Sequence, residues 1–138
     1  MTRTIIQKAE NYSAVDTFKS MYTLENLKRR CFNLFNGKEL LDIVLLPSVP
    51  AIYTRAEVNS NPIETNSDNG YYCNFMNLLD MCGIAIPSGM FVNLNNGEGE
   101  SSAMPFGITL TAPCWKDEYI SSISKTYMEK FCTGTCFK

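Results

Sequence analysis

An α/β fold is predicted by three features of the sequence. Long stretches place apolar residues every three or four positions, the period of a helix packed on one face. Short unbroken apolar runs closed by proline read as strands buried on both sides. Connections rich in Asn, Ser, Gly and Pro separate the two kinds of stretch. Together they predict a partial α/β/α layer, with short buried strands flanked by helices. The 138 residues suffice for one domain with one core. Charged residues make up only 19% against 45% hydrophobic. That balance suits a heavily buried piece of a larger fold better than a free-standing, well-solvated domain.

Taken in order, residues 3–10 form a mixed segment compatible with a short helix. Ser13 and Asp16 have the spacing of a capping box, and the apolar positions Ala14, Phe18, Met21, Leu24, Leu27 or Cys31, Leu34 and Phe35 follow at helical intervals. A helix over 13–36 is expected, stopped by Gly37, its apolar stripe packed into a core. Residues 42–47 form an unbroken apolar run ending at Pro47, expected to be a central, parallel strand. A long polar connection spans 51–69, with a second capping box at Thr54 and Glu57 starting a single helical turn. The segment 70–82 is expected to be a helix apolar nearly all round, hence buried, with Asn74, Asn77 and Asp80 in need of partners. Gly83 would stop it. A short strand over 84–86 closes at Pro87, and a second over 106–112 alternates as a half-buried strand; the Asn/Gly-rich segment between them suggests a hairpin. A last helix over 117–131 turns Ile120, Ile123, Tyr127, Met128 and Phe131 inward, with Gly134 as its stop.

Composition narrows the function classes. The formal charge of -2 and pI near 5.1 give no footprint for nucleic acid, and Lys28-Arg29-Arg30 reads as a solvated helix face. No apolar run approaches the ~20 residues needed to span a bilayer, and the first residues lack the apolar core of a signal peptide, so a cytoplasmic protein is expected. The six cysteines have no CxxC spacing, and reduced core thiols are expected. The chain has no histidine. That removes the usual general base at neutral pH, Ser-His-Asp and Cys-His sites, and the usual zinc ligand sets, so no metal or cofactor is expected. Glu98 and Glu100 sit in turn-forming sequence as solubilising charges, and the glycine-containing segments fit no phosphate-binding fingerprint. One constellation stands out for binding: Asn66, Tyr71, Tyr72, Asn74 and Asn77, whose amides and phenols supply donors and acceptors for a polar, amide-like ligand. By spacing alone the favoured reading is that the asparagines cap backbone ends and the tyrosines fill core.

The order of motifs carries a resemblance. Arg3-Thr-Ile-Ile, Ser13-Ala-Val-Asp-Thr-Phe18, Asp42-Ile-Val-Leu-Leu-Pro-Ser-Val-Pro50, Ala56-Glu-Val58, Asn66-Ser67, Gly70-Tyr-Tyr-Cys-Asn-Phe-Met-Asn-Leu-Leu-Asp80, Ala85-Ile-Pro-Ser-Gly89 and Met104-Pro-Phe-Gly-Ile-Thr-Leu-Thr-Ala-Pro113 follow one another. This resembles the C-terminal part of the amidase domain of allophanate hydrolase, an amidase-signature family also present within urea amidolyase. It covers residues 3–125. The resemblance implies that the strands belong to the mixed sheet of the amidase-signature fold, and that the reaction is hydrolysis of an acyl-urea, allophanate, to ammonia and carbon dioxide.

The family's nucleophilic serine is activated through a second serine and a lysine, all upstream of the matched part. None of Lys8, Lys19, Lys28, Lys38, Lys116, Lys125, Lys130 or Lys138 falls in such a motif, so no catalytic residue is carried over. The chain departs from relatives at Asp68-Asn69, where they have Arg-Leu, at Cys73, where they have threonine, and at Pro47-Ser-Val-Pro50, where they have Pro-Thr-x-x-Pro. The expected function is that of the rear portion of an allophanate-hydrolase-type amidase, inactive alone. Its expected partner is an N-terminal amidase piece or a second copy of the chain, with a small amide or acyl-urea as substrate once completed. The rival expectation is a non-catalytic remnant acting by association through an exposed sheet edge.

Overall fold

The computed structural model describes residues 2–36, 41–92 and 103–132. The expected stops at Gly37 and Gly134, the charges Glu98 and Glu100, and Cys136 lie outside the described residues. A short helix α1 (Thr2–Gln7) and a 3-10 turn (Lys8–Asn11) lead into α2 (Ala14–Asn36). The Ser13 capping box is formed: the Asp16 amide donates to Ser13 Oγ at 3.2 Å, and the Ser13 amide donates to Asp16 Oδ2 at 3.0 Å. The last helix, α6 (Asp117–Phe131), matches its predicted span.

Among the described residues three strands make one antiparallel sheet: β1 (Val44–Pro47), β2 (Met81–Val92) and β3 (Ala103–Pro113), in the order β1-β3-β2. The expected hairpin is present, with Ile84 opposite Leu110 and Ile86 opposite Ile108. These residues form one face of the sheet, and α6 covers it. Ile86, Ile108, Leu110 and Ile120 are all buried, with Ile123, Tyr127 and Met128 packed against the sheet. The opposite face of β3 carries the buried threonines Thr109 and Thr111. Both hydroxyls have partners there: Thr111 Oγ1 donates to the Cys82 carbonyl at 3.0 Å, and Thr109 Oγ1 shares a 2.8 Å hydrogen bond with Ser48 Oγ. This second face looks toward α2 and the short helix α5 (Asn74–Leu78), giving the helix–sheet–helix layering that was expected.

Several expectations are corrected. The run at 42–47 is neither central nor parallel: β1 pairs antiparallel with β3 on one side and is an edge of the three-strand sheet, leaving Leu45 half exposed. The strand at 84–86 is much longer. Pro87 does not end it, because β2 is also an edge and a proline there costs no ladder bond; the register shifts between Pro87 and Gly89, as at a bulge. The connection at 51–69 is largely helical, with α3 (Arg55–Ser60) and α4 (Pro62–Asn69). Thr54 and Glu57 do form their capping box, and Pro62 takes the first turn of α4, where its missing N–H is harmless.

The buried helix expected over 70–82 is only the five residues of α5, none of them buried. Asp80 adopts a left-handed φ of 53°, which ends helical geometry, and the apolar residues after it are taken up by β2. Gly83 sits inside that strand instead of stopping a helix; a Cβ there would approach Met76 Sδ to 3.0 Å, so the missing side chain lets α5 lie on β2. The stripe of α2 is corrected too. No residue of α2 is buried, and Phe18, Met21 and Leu34 are exposed. Only Leu24, Lys28, Cys31 and Phe35 are partly covered. No helix among the described residues is long and apolar enough to cross a membrane.

Candidate functional site

The five residues singled out for binding lie on one corner, where α4 hands over to α5. At the end of α4 the Gly70 amide donates to the carbonyls of Asn66 and Ser67, at 3.3 and 3.2 Å. The chain then turns tightly, with the amides of Cys73 and Asn74 both donating to the Gly70 carbonyl, at 2.9 and 2.7 Å. A Cβ at Gly70 would overlap the side-chain amide of Asn74, so a larger residue there would push that exposed side chain aside. The rings of Tyr71 and Tyr72 meet edge-to-face with centroids 5.1 Å apart, a favourable aromatic geometry. Tyr72 is half-buried, whereas Tyr71, Asn66, Asn74 and Asn77 are exposed.

The structure thus brings the five together along one turn-rich corner and leaves four of them open to solvent. Asn66 contributes a backbone carbonyl to the helix end. The α5 helix turns Phe75, Leu78 and Leu79 toward an apolar groove of about 490 Å³ and leaves Asn74 and Asn77 outside it. Two side chains tie the corner down. Cys73 Sγ donates to the Ser48 carbonyl at 3.4 Å, and Tyr53 Oη donates to Asp68 Oδ2 at 3.0 Å. Ser48 is itself held by β3, its amide donating to the Gly107 carbonyl at 3.0 Å. The corner is therefore linked to the sheet through Cys73 and Ser48, a bond that no sequence pattern signals beyond the departure at position 73.

The groove runs between the C-terminal half of α2, β1 and α5, lined by residues such as Leu24, Leu27, Leu34, Leu46 and Phe75. At its end Lys28 Nζ pairs with Asp80 Oδ2 at 2.8 Å, across 52 positions of sequence. Asp80 was expected to be a buried polar group in need of a partner. It is exposed, and Lys28 is the partner; the hydrogen bond to its carboxylate holds the ammonium above the usual lysine range. Close by, Cys31 Sγ lies 3.8 Å from Met81 Sδ.

The acid–base chemistry of the described residues is quiet. The hydrogen bond to Asp68 pushes the Tyr53 phenol up, and burial pushes the Cys31 thiol up, so both keep their protons at neutral pH. Cys31, Cys73 and Cys82 are half-buried thiols as expected, but Cys114 is exposed and not in the core. No group of three His, Cys, Asp or Glu side chains that could hold a metal ion occurs among the described residues. The corner presents amide and phenol groups, most of them to solvent; the groove offers apolar surface.

No family model matches the chain. In sequence it is 29% identical over 125 residues to the urea amidolyase of Saccharomyces cerevisiae, covering 91% of this chain and 6% of that protein. To the urea amidolyase of Lachancea kluyveri it is 26% identical over the same length and the same shares. In structure it superimposes on a serine-to-alanine variant of Kluyveromyces lactis allophanate hydrolase with a TM-score of 0.76 at 27% identity, over 93% of this chain and 19% of that one. The crystal structure of K. lactis urea amidolyase gives a TM-score of 0.80 at 25% identity, over 96% of this chain and 7% of that one. The resemblance carried by the motif order therefore holds in sequence and in fold along nearly the whole chain. The chain spans only about 6% of the length of the curated relatives it matches.

Proposed function

We propose that this chain, alike in sequence and fold to a segment of allophanate hydrolase and urea amidolyase, is the rear portion of an amidase-type hydrolase acting on an acyl-urea in the cytoplasm. In this reading the attacking serine and its activating serine and lysine belong to an N-terminal amidase piece, and this chain completes the sheet and one wall of the pocket. The Asn66, Tyr71, Tyr72, Asn74 and Asn77 corner would face the amide groups of the substrate. The observation that carries the reading is α2: twenty-three residues with a helical apolar stripe and none of them buried. Exposed apolar surface on this scale marks a face covered by another protein segment.

The test is ammonia release from allophanate by the purified chain, by an N-terminal amidase piece, and by the two mixed. The chain alone is expected to release none, and the mixture to exceed both. Turnover by the 138-residue chain alone would refute the proposal. A mixture that binds but releases no ammonia would favour the remnant that acts by association.

A further inference from the structure

Trp115 is the one tryptophan of the sequence, and it is 91% exposed. It sits in the turn between β3 and α6 at φ 66°, the left-handed region that bulky residues seldom occupy. The turn is held at both ends. On one side Ala112 is buried in the sheet; on the other the Ile120 amide donates to the Lys116 carbonyl at 3.0 Å and Ile120 is buried beneath α6. The fold thus spends backbone strain to hold its largest side chain out into water. The surface around it is continuous with the groove side of α2. Trp115 shares one concavity with Met81, Cys114 and the carboxylates Asp80 and Asp117, and Met81 and Cys114 share the next with Phe32 and Phe35, beside Glu25, Lys28 and Arg29. Phe32 is itself 63% exposed. A large, exposed aromatic beside a wider apolar surface is the anchor type that dominates binding energy at protein interfaces.

We infer that Trp115 is the anchor by which this chain seats on the rest of the amidase-type unit, entering an apolar pocket of that partner while the α2 stripe is covered. The occupant is argued from the relative: the same fold makes up 19% of a single allophanate hydrolase chain, and the remainder of such a chain is the partner inferred for this face. The inference rests on the functional reading above. It goes further in naming the residue and the end of the sheet through which the partner docks.

A single tryptophan makes the test direct. The chain labelled with 5-fluorotryptophan gives one fluorine resonance, titrated with a purified N-terminal amidase piece while ammonia release from allophanate is followed in the same samples. The resonance is expected to move as the complex forms, and Trp115→Ala to weaken binding by about thirty-fold or more. Trp115→Phe should recover part of that loss. Circular dichroism melts of both variants should match the parent chain, since the side chain is in water. Restored ammonia release with an unmoved resonance, and equal binding by Trp115→Ala, would overturn the inference and leave the functional reading standing. A failure of the two pieces to associate at all would overturn both.

Discussion

The β2–β3 hairpin with α6 and the helix α2 each present an apolar face, and the two faces meet opposite fates. In the first, Ile86, Ile108, Leu110 and Ile120 are buried, and every hydroxyl on the far face of β3 that is buried finds a partner. In the second, Phe18, Met21, Tyr22 and Phe32 remain exposed along a helix with no buried residue. Both carry apolar faces, and they differ in what lies opposite. The hairpin carries its own cover in α6, packed against both strands. The α2 stripe is long enough and apolar enough to need one, and within this chain only its C-terminal half approaches the sheet, across a groove. The comparison teaches that an amphipathic pattern reports a buried face without saying whether the burying partner is on the same chain.

The sharpest way to break the comparison is a pair of truncations. Leu110→Ala should destabilise the chain by about 2–5 kcal/mol, the usual range for a buried leucine whose surroundings relax only in part. Phe18→Ala should move stability by no more than about 0.5 kcal/mol, as expected for a solvated position. Urea unfolding of both variants checks this; a Phe18→Ala loss as large as that of Leu110→Ala would mean that α2 is packed in the isolated chain.

A smaller effect is expected at the second capping box. Thr54→Ala removes the acceptor for the Glu57 amide and should cost about 1 kcal/mol, seen as a lower urea midpoint. The two capping carboxylates also set the acid limb. Asp16 is held below the usual carboxylate range by the Ser13 hydroxyl and then the Ser13 amide; Glu57 is held down in the same way by Thr54. A carboxylate lowered in the folded state stabilises above its unfolded value, about 4, and that contribution fades as pH falls through the folded value. Stability should therefore decline as the pH drops below about 4, and Glu57→Gln should flatten that decline. An unchanged acid limb in Glu57→Gln would show that the box forms without the charge. The smallest effect is expected for Lys28→Ala: its pairing with Asp80 is exposed, so the unfolding midpoint should barely move.

What could be read in advance follows the same divide. The spans of α2 and α6, both capping boxes and the pairing of β2 with β3 were legible, because each rests on local chemistry: a hydroxyl and a carboxylate three apart, a helical stripe, two apolar runs joined by turn residues. The helix expected over 70–82 failed because its last residues had a second use. Cys82 and Ile84 pair across to Ala112 and Leu110, and the left-handed Asp80 makes the switch; no periodicity distinguishes an apolar helix end from the start of a strand. The edge position of β1 was equally hidden, since an unbroken apolar run signals burial on both faces and says nothing of how many neighbours flank it. The helix α4 was missed, and α3 was seen only as the single turn its capping box starts, because the two bury only Thr65 and leave no apolar stripe to see. At the candidate site the turn at Gly70 and the nearness of Asn66 to Asn77 followed from sequence adjacency. The ties from Cys73 to Ser48 and from Lys28 to Asp80 span 25 and 52 positions and could come only from the fold.

The central claim is that the exposed face of α2 is covered by the rest of an amidase-type unit. Hydrogen–deuterium exchange of the chain, alone and mixed with an N-terminal amidase piece, tests it most directly. The account predicts that amides of α2 exchange fast alone and slow markedly in the mixture, while those of β3 change little. Unaltered exchange along α2 in a mixture that releases ammonia from allophanate would contradict it.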